Sequence, residues 1–509
     1  MQVKNTEVET GALVVMICGA DAVEQGMHAG DRIIIKSGSK TGVGIVNISD
    51  AVPKGTIWFT KDMQSELKLH DGSSVEITTM PMPKSLIAIR SRLNNVRLDS
   101  QSAYEIVKDT VSKRLDKNEI TAFVVSLHAY PIDLEEAACI SEAMVKTGET
   151  LNLGKKRIFD KHSIGGVPGD KTSMLVVPIV AAAGLTIPKT SSRAITSAAG
   201  TADRAEVIMP VTLDVSEVRR VVNKTNGCIV WGGAVHLAPA DDIFVRAEYP
   251  FSIDPLMLPS IISKKKAVGS TDMVVDIPVG STMKVKNDSE GMALMKEFNV
   301  LGNRLGINVE GALTNGTQPI GYAVGAAAEA REALEAITGK TKASDLIDKA
   351  TSIAGILLEM SGKKAGKQLA KSIIEKGLAE KKLRQIIEEQ GGDPKIKPND
   401  IEIGEHSESV YAEHGGIVQG FNNVAIANVV KLAGAPSNKK AALILGKKIF
   451  DKVKKGDLLY TVYSDSAPLL ASAVKYAKGN DIVLVGDENR MLLRHVRLEK
   501  AEPSFVLER

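Results

Sequence analysis

The sequence predicts a multidomain α/β protein: an N-terminal small β-barrel, a helical domain, a central α/β domain with a mostly parallel sheet, and a C-terminal α+β domain. Three observations predict this. The first eighty or so residues are short apolar strands punctuated by Gly and Asp. A block with helical periodicity and capping signals follows. From Lys155 onward, strands and helices alternate across glycine- and hydroxyl-rich loops, the pattern of a parallel sheet. At 509 residues the chain is long enough for several domains of roughly 150 residues each.

The composition is that of a globular chain, with 44% apolar and 25% charged residues. A net charge of +3 argues for neither a nucleic-acid polymer nor a membrane as partner, yet it leaves room for a local basic pocket. Cys18, Cys139 and Cys228 are far apart and form no CxxC, so they read as packing residues in a reducing compartment. MQVKNTEVET has no apolar signal core. The most apolar stretch, SMLVVPIVAAAGLTIP at 173–188, is shorter than the ~20 residues of a membrane helix and contains Pro178. It is expected to be a buried helix, and the protein is expected to be cytoplasmic.

The elements follow in order. ALVVMI, RIIIKS, VGIVNI, TIWFT and SVEITT read as strands of residues 1–83. A weak repeat at an offset of 42 aligns Glu24 with Glu66, His28 with His70, Gly30 with Gly72 and Ile35 with Ile77, which suggests two strand–turn–strand copies in a pseudo-symmetric barrel. The two histidines belong to that repeat and lack the neighbours a metal site needs. Met80-Pro81-Met82-Pro83 is a linker. In residues 84–154, Ser102 with Glu105 and Asp133 with Glu136 have capping-box spacing, and Gly148 suits a C-terminal cap. Residues 240–270 are expected to join this helical unit. KRIFD, a glycine loop and the apolar helix open the central unit, 155–239 plus 271–395. Its lysines Lys363, Lys364, Lys367, Lys371, Lys381 and Lys382 read as the wet face of amphipathic helices. Residues 396–509 mix strands and helices.

Three stretches carry chemistry. KHSIGGVPGDKTS, at 161–173, has the clustered glycines, lysines and hydroxyls of a phosphate loop. It is not a Walker A loop, because Asp170 separates Gly169 from Lys171. Asp170 is expected to point away from the anion and cap a helix starting at Lys171. SSRAITSAAGTADRAE, at 191–206, is dense in hydroxyls, Ser191 included, that suit phosphate beside a helix N-terminus. Two such loops at neighbouring strand ends would cradle one anion. In 245–270, Arg246 and Asp254 flank Tyr249, and Ser260 and Lys264 share a helix face.

Together these stretches resemble the thymidine/pyrimidine nucleoside phosphorylase family. KHSIGGVPGDKTS resembles that family's phosphate loop with Pro168 added. SSRAITSAAGTADRAE resembles its S-x-R … G-T-x-D-x-x-E signature, SIISKKKAVG its SIMSKK helix, and NGTQPIGYAVGAAAEAREAL a further segment. The likeness runs from about Lys84 to the C-terminus. Two departures, Thr196-Ser197-Ala198 where a histidine is usual and the N-terminal barrel, are similar to the family's archaeal AMP phosphorylase branch. The resemblance implies phosphorolysis of AMP, with CMP and UMP as further substrates, to ribose 1,5-bisphosphate and free base. It implies Asp254 as proton donor and nucleotide contacts at Gly166, Ser192, Arg193, Ala194, Ile195, Thr196, Ser197, Thr201, Ser260 and Lys284, with Ser263 as a nearby alternative to Ser260. Lys161, Ser163 and Ser173 match inorganic-phosphate contacts, and Lys264 a base-contacting lysine. Dimers are implied, which an N-terminal barrel would join further. No metal or organic cofactor is expected, because phosphate is itself the nucleophile. Asp254 is expected to have its pKa raised by burial or by nearby anions, in a cleft between the helical block and the α/β core. The competing readings are a pyrimidine nucleoside phosphorylase, a magnesium-dependent phosphoribosyltransferase, and a non-catalytic nucleotide-binding assembly protein.

Overall fold

The structure is a computed structural model that describes residues 1–194 and 197–486. Ile195 and Thr196 of the hydroxyl-rich loop, and residues 487–509, lie outside the described residues.

The N-terminal strands run in the order Gln2–Asn5, Thr56–Phe59, Val14–Ile17, Lys40–Ile48, Arg32–Ser37, Glu76–Thr79. The two edges of this sheet meet, because Val3 N–H donates to the Ser73 carbonyl and Val75 N–H to the Met1 carbonyl, both at 2.9 Å. The alternating apolar residues Val15, Ile17, Ile33, Ile35, Ile57 and Phe59 fill the space between, all fully buried. The repeat is real but its middle is a helix, not a turn: Gly19–Gln25 in one copy and Lys61–Leu67 in the other. Each helix carries a buried aspartate, Asp21 or Asp62, that accepts a backbone N–H from the loop before the other copy's first strand, Gly55 at 2.7 Å and Gly11 at 2.9 Å. That reciprocal exchange gives the weak sequence symmetry a physical cause. Lys113 to Asp62, at 2.7 Å, and Arg32 to Glu119 tether this unit to the helices that follow.

Those helices are Lys84–Leu93, Ser100–Val111, Lys117–Ala129 and Leu134–Lys146, with Pro239–Glu248 packed among them. The Asp133 capping box forms as spaced, with Glu136 N–H to Asp133 at 2.9 Å and Asp133 N–H to Glu136 at 3.3 Å. The Ser102 box does not: the helix starts two residues earlier and Asp99 caps it, accepting from Ser102 N–H at 2.7 Å. Gly148 is not the cap either, since Thr147 takes that position; a side chain at 148 would collide with the Leu237 carbonyl.

In the central region, Asn308–Asn315, Asp272–Val279 and Phe159–Ser163 form a parallel sheet. Beside it lies the parallel pair Ile187–Ser191 and Gly227–Trp231, joined where Phe159 N–H donates to the Thr186 carbonyl at 2.8 Å. The first strand begins later than KRIFD suggests, so Lys161 and Ser163 stand on the strand end rather than in the loop. The helix Thr172–Ala182 is buried along nearly its whole length, Pro178 included. Helices Ser344–Met360, Gly366–Glu375 and Leu378–Glu389 cover the same core. Among the C-terminal strands, His406–Tyr411, Leu458–Ser464 and Ala442–Leu445 are antiparallel, and Ala323–Val324 from the central region adds the fourth strand. Among the described residues, no helix is long and apolar enough to cross a membrane.

Gly169 lets the first loop fold against this C-terminal junction. Its φ is +75°, and a Cβ there would stand 2.8 Å from the Ile320 carbonyl oxygen and 2.9 Å from that of Ala323. Gly169→Ala combines a left-handed conformation with a backbone collision, so it is expected to destabilise the fold by about 2 kcal/mol or more. A shift in the urea midpoint at unchanged slope measures it.

Candidate active site

The carboxyl ends of Phe159–Ser163 and Ile187–Ser191 open into a cleft of about 730 Å³, whose opposite wall comes from Pro239–Glu248, the following turn, and the helix Met257–Val268. Parallel sheets place their ligands at this edge. Lys161, Ser163, Gly166, Ser173, Ser191, Ser192, Arg193, Ser197, Thr201, Asp254, Ser260, Lys264 and Lys284 all line it. Ala194 is engaged elsewhere, its N–H donating to Asp203 at 2.7 Å. Ser263 is fully buried and its hydroxyl donates to the Ser260 carbonyl at 3.2 Å, so Ser260 is the serine that faces the cleft.

The floor is a buried lattice of lysines and aspartates. Lys161 Nζ lies 3.6 Å from Asp170 and 3.5 Å from Asp276. Asp276 also meets Lys349 at 3.0 Å and the Thr314 hydroxyl at 2.6 Å. Lys265 pairs with Asp160 at 2.8 Å, and Lys264 with Asp241 at 2.7 Å. His162 sits among these cations. Burial, then the charges of Lys265, Lys189, Lys264 and Lys161, hold its pKa well below the usual imidazole range, so it stays neutral at neutral pH. Its buried Nδ1 has no hydrogen-bond partner among the described residues.

Asp170 departs from expectation. The helix begins at Thr172, whose N–H does donate to Asp170, at 3.3 Å. The carboxylate nevertheless lines the cleft and faces Lys161. Burial opposes its charge, but Lys161, Lys349, Thr172 and Arg204 together hold its pKa far below the ordinary carboxylate range. It therefore tempers the lysine cluster as a permanent counter-charge. Gly165 and Gly166, at φ +82° and +97°, shape the backbone between the two.

The second loop is braced by its own ions. Arg193 grips Glu206 with two bonds of 2.5 and 2.6 Å and lies 4.9 Å over the Trp231 ring. Lys439, from the C-terminal region, joins the same carboxylate. The Arg193 bond chiefly, against a burial penalty and with Lys439 helping, lowers Glu206 to about 2. Asp203 accepts the Gly200 N–H at 2.8 Å as well as that of Ala194. Arg204, which the sequence gives no reason to single out, ties the two loops together. It donates to the Asp170 carbonyl at 2.6 Å, the Ala199 carbonyl at 2.9 Å and the Thr201 hydroxyl at 3.1 Å, and pairs with Glu329 at 2.7 Å.

On the opposite wall Asp254 is not buried, so of the two expected influences on it burial is absent. Its side chain is 39% exposed and forms an ion pair with Lys284, itself 47% exposed. Nearby on this wall Glu248 is buried, 3% exposed, and accepts the Leu256 N–H at 3.3 Å. Burial, then the Asp254 charge, raise it to about 8.

Comparisons with known proteins agree with this architecture. Residues 155–380 match the model of the glycosyl transferase family, a/b domain. The chain is 44% identical over 503 residues to the AMP phosphorylase of Thermofilum pendens, covering 98% of both chains. It is 46% identical over 482 residues to the AMP phosphorylase of Thermococcus sibiricus, covering 94% of this chain and 96% of that one. In fold, it is similar to the crystal structure of anthranilate phosphoribosyltransferase from Thermus thermophilus, at a TM-score of 0.51 and 17% identity over 60% of this chain and 99% of the other. Such identity across nearly the whole of both chains shows that this chain belongs to the AMP phosphorylase family.

Proposed function

We propose that this enzyme, a pentosyltransferase, phosphorolyses AMP to adenine and ribose 1,5-bisphosphate, and accepts CMP and UMP. The observation that carries the reading is one cleft in which two hydroxyl-rich strand-end loops over a lysine floor face Asp254 and Lys284. Two anions need holding, the attacking phosphate and the 5'-phosphate, and the loops and floor offer hydroxyl, backbone and ammonium donors for both. A phosphate oxygen attacks C1' as the C1'–N bond breaks, and the bond's electron pair leaves with the base. Phosphate fixed beneath C1' gains from proximity and opposes the developing positive charge. Asp254, in its protonated form, delivers a proton to the departing base, N7 in the case of adenine. A nucleotide that engages Lys284 would release Asp254 from its ion pair for that role. Gly166, Ser192, Ser197, Thr201 and Ser260 contact the nucleotide, with Arg193 bracing the loop that bears several of them; Lys161, Ser163, Ser173 and Ser191 hold phosphate, and Lys264 reaches the base.

The four units given above, 1–83, 84–154 plus 240–270, 155–239 plus 271–395 and 396–509, belong to the same proposal. Separate buried clusters in the N-terminal, helical, central and C-terminal parts support them. Dimers, joined further through the N-terminal unit, are part of the same proposal.

The test is base release from AMP, CMP, UMP, adenosine and thymidine, with and without phosphate. Phosphate-dependent adenine release from AMP but not from adenosine is the expected result. Release from thymidine, or from nothing, overturns the reading.

A further inference from the structure

The hydroxyls of the second loop are not equivalent. Ser191 donates its hydrogen to the Ser192 carbonyl at 3.3 Å, and Ser197 donates to the Ala199 carbonyl at 3.1 Å. A hydroxyl has a single hydrogen, so in this arrangement both offer a ligand only lone pairs. Thr201 is the opposite case. Its oxygen accepts from Arg204 Nη1 at 3.1 Å. A guanidinium can only donate, so chemistry fixes the direction of this bond. The Thr201 hydrogen is left over, and it has no acceptor among the described residues. Thr201 lines the cleft.

Arg204 is held so that this bond keeps its geometry. The two residues lie three apart in the short helix Thr201–Ala205, so they share a face. The same Nη1 also donates to the Asp170 carbonyl at 2.6 Å, which commits both of its hydrogens. Nη2 donates to the Ala199 carbonyl at 2.9 Å. Glu329, 1% exposed, stands 2.7 Å from Nε as the counter-charge of a guanidinium that is itself buried. A planar group with these partners has one orientation. A bond received from a cation also polarises the hydroxyl and strengthens it as a donor. To brace the loops, the two carbonyls and Glu329 would suffice; the further contact falls on a hydroxyl that faces the cleft.

We propose that Arg204 is a positioning residue for the nucleotide: its bond to Thr201 leaves that hydroxyl as a hydrogen-bond donor directed into the cleft, to an oxygen of the ribose 5'-phosphate. The inference rests on the reading of the cleft as a nucleotide site. It goes further by assigning the polarity of one contact and the residue that sets it.

Calorimetric titration of the full chain with AMP, around a cycle of variants, tests this. Thr201→Val keeps the shape of the side chain and removes the hydroxyl. It is expected to lower AMP affinity by about tenfold or more, the range for a hydrogen bond to a charged group. Arg204→Met alone would strand a buried carboxylate, which is strongly destabilising, so it is combined with Glu329→Gln. In that background the Thr201 hydroxyl turns freely, and Thr201→Val is expected to cost about threefold or less, the low end for an unassisted hydrogen bond. Equal costs in the two backgrounds overturn the proposal, because a residue that only braces the fold lowers affinity independently of Thr201. Unchanged affinity in Thr201→Val overturns it as well. Arg204→Lys keeps a charge opposite Glu329 but loses the planar fork; it replaces the double variant, with the same expectation, if that chain does not fold. Coupled costs in a chain that binds AMP but releases no adenine support this inference while removing the phosphorolytic reading. Phosphorolysis of AMP with equal costs does the reverse, and a chain that binds no AMP overturns both.

Discussion

Asp254→Asn is expected to lower kcat for AMP phosphorolysis by ~10²–10⁴-fold, the usual worth of a general acid, while the KM for AMP changes little. The substitution keeps the shape of the side chain and removes only the transferable proton and the charge. Its structural cost is small, because the Asp254–Lys284 pair is half-exposed and such pairs contribute about 0–1 kcal/mol. A large loss of turnover without loss of thermal stability therefore reports on chemistry. Retention of near-normal kcat sinks the role of Asp254. A rise in KM alone would instead make the pair a substrate-positioning device, because only an interaction made in the transition state lowers kcat.

What the sequence disclosed divides by the range of the interactions involved. The Asp133 capping box was legible because both partners lie within one helical turn. The types of residue around the cleft were legible for a similar reason: a glycine loop and a hydroxyl loop each announce themselves over a dozen residues. Their energetics were not. Whether Asp170 repels or stabilises depends on Lys161, Lys349 and Arg204, which come from three different segments. The exposure of Asp254 was not legible either: the turn Tyr249–Phe251 before it leaves that segment open to solvent, with Tyr249 50% and Phe251 54% exposed. The repeat in the N-terminal sheet was visible, but its Asp21–Gly55 and Asp62–Gly11 exchange, which keeps the two copies alike, is a contact between them. No spacing within one copy encodes it.

Glu248 offers the sharpest test of the cleft's electrostatics. Its carboxyl is raised from an ordinary 4.5 to about 8, by burial first and by the Asp254 charge second. Between those values the folded chain holds a proton that the unfolded chain has released. The slope of stability against pH is proportional to the protons bound by the unfolded chain less those bound by the folded one, so stability falls as pH rises. The contribution is fully present below the unfolded value and lost as pH climbs through about 8. At about 1.4 kcal/mol per unit, the whole effect is on the order of 3–5 kcal/mol. Glu248→Gln supplies a neutral side chain of the same shape at every pH. Urea unfolding of the two chains at several pH values from acid to alkaline is expected to show the unmodified chain losing stability relative to Glu248→Gln as pH rises, with the gap saturating above about 8. Parallel stability curves overturn the assignment.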